Sequence, residues 1–140
     1  MKRLQFSIVI KAAREHVWET MLAPETYGQW TAGFCEGSSY EGRWEEGAMV
    51  RFLSPSGEGM VAQIEEVRLH EYLSIRHLSF LEKGVEKPVP EPTFENYTFR
   101  DHAEGTELSI EMDSTAEYEA MFTEMWPRSL QLLKGLCEKR

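Results

Sequence analysis

Leu4, Phe6, Ile8 and Ile10 alternate with Gln5, Ser7 and Val9, the period of a strand with one inner face. The period then changes. Val17, Trp18, Met21 and Leu22 predict a short helix over Arg14 to Leu22, and Pro24 near a first turn predicts a second over Pro24 to Trp30, ended by Gly33. Alternation returns in six runs, Glu36 to Tyr40, Ala48 to Ser54, Glu58 to Leu69, Tyr72 to Leu81, Phe94 to Asp101 and Glu107 to Asp113. The chain closes on helical spacing from Ser114 to Lys139, where Tyr118, Met121, Phe122, Met125, Leu132, Leu133 and Leu136 predict a buried apolar face. Ser114 and Glu117 are spaced as a capping box at its start.

Turn residues separate the strands at Glu41-Gly42, Glu46-Gly47, Ser54-Pro55-Ser56-Gly57, His70-Glu71 and Glu104-Gly105, so the strands should form an antiparallel meander. Glu82 to Thr93, carrying Pro88, Pro90 and Pro92, is expected to be an extended surface loop poor in hydrogen bonds. Inside the last helix, Pro127 removes one amide and crowds the carbonyl four residues back, which predicts a kink or a fresh helix start.

The 140 residues fit one domain, 1–140, that buries about two-thirds of its unfolded surface. No apolar run has the length of a signal peptide or membrane helix, so a cytoplasmic protein without membrane insertion is expected. A formal charge of -9, with scattered positive residues, argues against nucleic acid and anionic lipid as partners. Cys35 and Cys137 are too few for a disulfide scaffold and lack zinc-site spacing, and no histidine pair has metal-ligand spacing; no metal or other cofactor is expected.

Particular residues narrow the fold. Ile8-Val9-Ile10-Lys11-Ala12 precedes Glu15-x-Val17-Trp18, then Pro24-Glu25 with Trp30, Glu41-Gly42, Gly47, Phe52, Gly59, Val67 and Glu71-Tyr72-Leu73-Ser74-Ile75; Trp126-Pro127-x-x-Leu130-x-x-Leu133 follows near the end. In this order the chain resembles the helix-grip superfamily, which includes the START lipid-transfer domains, the birch-pollen allergen family and polyketide cyclases. It is most similar to the branch related to the activator of the heat-shock chaperone ATPase. The resemblance covers nearly the whole chain and implies an α+β fold, a curved antiparallel sheet of about seven strands wrapped on a long C-terminal helix, with two short helices after strand 1. One departure is that Ala12-Ala13 stands where a small polar N-cap is usual, so the first helix should start less sharply.

The implied space between sheet and helix is a cavity or a filled core, depending on side-chain volume. Alternation points Phe52, Leu73, Ile75, His77, Tyr97, Phe99, Leu108, Ile110 and Met112 inward, with Phe122, Met125, Trp126, Leu130 and Leu133 facing them from the helix. Candidate ligand-binding residues are therefore Trp30, Phe52, Ile75, His77, Tyr97, Phe99, Met112, Phe122, Trp126 and Leu130. His77 either orients a ligand or is a core histidine with a backbone or hydroxyl partner. Trp30 either closes one end of the cavity or anchors the helix pair. The bend at Pro127 either shapes the cavity mouth beside Trp126 or fits the helix to the sheet. Glu107, Ser109, Glu111 and Asp113 fall on the face opposite Leu108, Ile110 and Met112 and read as a solvated outer surface.

No nucleophile elbow, Gly-rich phosphate loop or recognisable Cys–His pairing is present, and no catalytic residue is assigned. The expected function is binding of a small hydrophobic or amphipathic molecule by a monomer or homodimer, with Tyr97 or His77 as polar handle. Two alternatives stand beside it. One is a cyclase or dehydratase in which His77 or a nearby Tyr moves protons, which predicts a perturbed titratable group in the cavity. The other, implied by the branch resemblance, is a chaperone-interaction module, although 140 residues leave no room for the extra domain of a full co-chaperone of that kind.

Overall fold

The structure, a computed structural model, describes residues 1–139. The first alternating run forms β1 (Lys2–Ile10). Two helices follow, α1 (Arg14–Leu22) and α2 (Pro24–Thr31). The N-cap of α1 is Ala13, which supplies no side-chain hydrogen bond, and Pro24 opens α2 at a position where a missing amide costs no helical bond. Six strands come next: β2 (Ser39–Gly42), β3 (Met49–Leu53), β4 (Gly59–Arg68), β5 (Tyr72–Glu82), β6 (Val85–His102) and β7 (Gly105–Ser114). The chain then forms α3 (Ala116–Glu138).

All strand pairs are antiparallel, in the order β1-β7-β6-β5-β4-β3-β2. The meander therefore runs from β2 to β7, and β1 closes on the β7 edge. The result is the α+β helix-grip architecture, a curved seven-stranded sheet with α3 as its long helix. In β7, Thr106, Leu108, Ile110, Met112 and Ser114 are buried while Glu107, Ser109, Glu111 and Asp113 are more exposed, as alternation requires. The outer face is laced by pairs such as Arg3 Nε to Asp113 Oδ1 at 2.9 Å.

The long prolyl link differs most from the sequence expectation. It is strand, not loop: Val85 to Pro88 pairs with Ser79 to Glu82 across a turn at Lys83 and Gly84, both with positive φ (52° and 79°). Prolines are tolerated because pairing between β6 and β7 begins only at Glu95 opposite Met112, leaving the preceding residues on a free edge. Val89 to Pro92 bulge out opposite the single residue Leu78, since His77 pairs with Thr93 and Ser79 with Pro88.

Other departures are local. Ser114 belongs to β7 and pairs with Lys2, so the capping box does not form; Thr115 is the N-cap of α3 and makes no side-chain capping bond. β2 lies later than expected, and Gly42 ends the strand opposite Val50 instead of making a turn. Helix α3 runs on through Pro127 with no fresh start. Its buried face is Trp126, Ser129, Leu130, Leu133 and Cys137, whereas Tyr118, Met121 and Leu132 are exposed. Helical spacing named the helix and its inward residues Trp126, Leu130 and Leu133, but Tyr118 and Met121 are exposed because the first turns of α3 border the pocket and do not rest on packed core. Close approach of helices is allowed by Gly33, where a Cβ would stand 2.8 Å from the Ser129 backbone.

Candidate functional site

Inward-facing residues of β3 to β7, the ends of α1 and α2, and the first turns of α3 enclose a pocket of about 670 Å³. Its walls are mainly apolar, with Phe52, Leu73, Ile75, Met112, Phe122 and Trp126 contributed by four different elements. Exposed Met1, Phe80, Tyr118 and Met121 stand around it, with Val89 to Glu91 of the β6 bulge. The prolyl segment is thus part of the pocket's margin.

Trp126 anchors the deep side. Its ring lies 4.8 Å from Phe34 edge-on and 5.9 Å from Phe6 in a stack, with Trp30 and Tyr97 at 6.3 and 6.0 Å. The indole Nε1 donates to Met112 Sδ at 2.9 Å, satisfying an otherwise orphaned buried N–H and fixing the ring. Trp30 is tied by Nε1 to the Met21 carbonyl at 2.9 Å, which anchors the helix pair, and it also lines the pocket.

The polar feature is a chain on adjacent strands. Glu95 of β6 receives the Tyr97 hydroxyl on Oε2, and His77 Nε2 of β5 lies 3.3 Å from Oε1. Burial by itself would raise the Glu95 carboxyl's pKa; the His77 hydrogen bond and charge, followed by the Tyr97 hydroxyl, more than offset that and hold it below the ordinary carboxylate value. Burial first, then the Glu95 charge and hydrogen bond, push the Tyr97 phenol well above its usual value, so it remains a donor. Tyr27 is pushed up by burial and then by Glu95. His77 Nδ1 and Trp44 Nε1 are buried without a protein partner, and both residues line the pocket.

Eight of the ten sequence candidates, Trp30, Phe52, Ile75, His77, Tyr97, Met112, Phe122 and Trp126, share this wall. Phe99 and Leu130 do not. Phe99 packs against Trp18 at 5.1 Å, because β6 carries it past the pocket toward α1. Leu130 lies one helical turn beyond Trp126 in the packed core, beside a separate space of about 140 Å³ near Pro127. His77 pairs with a carboxylate, not with the carbonyl or hydroxyl of the core-histidine alternative. Glu95 itself escaped the sequence reading, although it precedes Tyr97 by two positions and so shares its inward face.

Among the described residues no cluster of three or more His, Cys, Asp or Glu side chains is placed to hold a metal ion, and no helix is long and apolar enough to cross a membrane. Residues 11–138 match the family model described as Activator of Hsp90 ATPase homolog 1-like protein. No curated protein matches the chain. Among solved structures, protein MLL2253 from Mesorhizobium loti superposes with TM-score 0.78 at 14% identity, each chain covered to 96%. DynU16, a protein in the dynemicin biosynthetic locus, gives TM-score 0.80 at 19% identity over 99% of this chain and 48% of its own. The Aha1 dimer from Colwellia psychrerythraea gives 0.76 at 16%, covering 99% and 97%. At these identities the likeness is one of fold.

Proposed function

Since the chain belongs to the Activator of Hsp90 ATPase homolog 1-like family, we propose that it binds a small hydrophobic or amphipathic molecule between the sheet and α3. The observation that supports this is the pocket of about 670 Å³, a size typical of small-molecule sites, with apolar walls and a few convergent polar groups. Trp30, Phe52, Ile75, Met112, Phe122 and Trp126 supply apolar contact, while His77 and Tyr97, joined through Glu95, supply polarity.

Native mass spectrometry of protein purified from its own host tests the reading, with any co-purified molecule released and identified. A stoichiometric apolar molecule is expected. An empty protein whose melting temperature is unmoved by a panel of lipids, aromatics and polyketide-like compounds overturns it.

A second reading, an enzyme of the cyclase or dehydratase kind, rests on the Tyr97–Glu95–His77 chain, which sets hydrogen-bonded titratable side chains in the pocket wall. The same experiment separates the two. A bound molecule recovered unchanged after incubation supports storage or transport, and one recovered with altered mass supports conversion.

A further inference from the structure

The ionisable groups of the pocket wall are carboxylates, phenols and one imidazole, His77. Of its carboxylates, Glu91 is exposed and Asp113 is paired with Arg3 on the outer face, so Glu95 is the one set in the apolar interior; among the described residues no lysine or arginine lines the pocket. The Glu95 carboxylate has about four acceptor positions, of which the Tyr97 hydroxyl and His77 Nε2 occupy two. In the same wall, Trp44 Nε1 is a buried N–H with no acceptor, and His77 Nδ1 is a further buried ring nitrogen with no partner. A buried polar atom left unpaired costs on the order of 1–3 kcal/mol, which an occupant can recover by pairing it.

Resting on the binding reading above, we propose that the pocket selects apolar molecules carrying a neutral hydrogen-bond donor, above all a hydroxyl, and rejects molecules that end in a carboxylate. A hydroxyl donates to the free acceptor positions of Glu95 and can itself accept from an N–H such as that of Trp44. An ether of the same shape fills the same apolar space but cannot donate. A carboxylate brings a second negative charge beside Glu95, into an apolar space whose wall has no lysine or arginine to neutralise it. The low Glu95 pKa agrees, since it keeps the acceptor ionised at neutral pH.

Isothermal calorimetry of the full chain with 2-naphthol, 2-methoxynaphthalene and 2-naphthoate tests this with one ring system and three end groups. Naphthol should bind at least about tenfold more tightly than its methyl ether, the scale of a hydrogen bond to a charged group, and naphthoate should bind weakest. In Glu95→Leu the naphthol advantage should vanish while affinity for the ether stays within about twofold. Should that variant not fold, Glu95→Gln should narrow the gap between naphthoate and naphthol by removing one charge. Equal binding of naphthol and ether, or tightest binding of naphthoate, overturns donor selection and leaves the binding reading standing. Failure of all three probes to bind overturns both.

Discussion

Glu95 shows what a single inward carboxylate does to its surroundings. It stays ionised by holding Tyr97 and His77, and its charge contributes to keeping Tyr97 and Tyr27 protonated. This has a consequence at alkaline pH. Both phenols have folded pKa values raised above the ordinary value of 10, so below pH 10 each is protonated in folded and unfolded chains alike and its contribution to stability is fully present. Above pH 10 the unfolded chain releases protons that the folded chain retains, and stability falls as pH rises towards the folded value. Each such phenol adds a slope of about 1.4 kcal/mol per pH unit in that window. Urea titrations between pH 9 and 11.5 should show Tyr27→Phe losing stability less steeply than the wild type by about one such increment. Parallel curves would mean that the Tyr27 phenol is not held protonated. Glu95 was within reach of the sequence, because alternation from Tyr97 and Phe99 sets it on the inner face. A glutamate beside a proline-rich stretch gives no inward signal until a partner histidine is placed diagonally across from it, and that pairing depends on the β5–β6 register, which sets Ile75 opposite Glu95 and His77 opposite Thr93.

At the scale of elements, β1, β7 and α1 were legible because each has one wet and one dry face, so composition and geometry agree. The prolyl segment was not, because proline bars a central strand but not a free edge, and whether an edge is free is decided by how far β7 extends. The hairpin there turns on Lys83 and Gly84, both with positive φ. Glycine takes that conformation without penalty, whereas lysine does so against its Cβ. Asparagine before glycine suits such a two-residue turn, so Lys83→Asn should raise the unfolding free energy by about 0.5–1 kcal/mol. A shift of the urea midpoint upward at unchanged m-value would show it; an unchanged or lowered midpoint would mean that the hairpin is not part of the cooperative unit. The exposed first turns of α3 were misread for a related reason. Tyr118 and Met121 obey helical spacing, but periodicity states which side is apolar and is silent on whether anything rests against it.

For the whole molecule, the same silence extends to the interior. Leu73 and Leu133 are both fully buried, and no sequence pattern separates them. The structure does, because Leu73 of β5 lines the pocket while Leu133 of α3 lies in packed core away from it. Close-packed interiors resist added volume, so Leu133→Phe should cost about 1–3 kcal/mol as neighbours are forced from their rotamers. At Leu73 the extra carbons have empty space to enter. Leu73→Phe should therefore change stability by less than about 1 kcal/mol, while reducing the pocket and weakening any apolar probe that fills it. Paired denaturation curves measure the contrast, with calorimetry on 2-methoxynaphthalene reporting the pocket. Equal losses at the two positions would mean an interior filled throughout, and the helix would then be gripped by core alone. A loss confined to Leu133 would mean that the fold keeps its stability in the layer formed by β1, β7, α1, α2 and the second half of α3. The space beneath the first half of α3 would then be free for a ligand, since the contacts that hold the helix lie elsewhere.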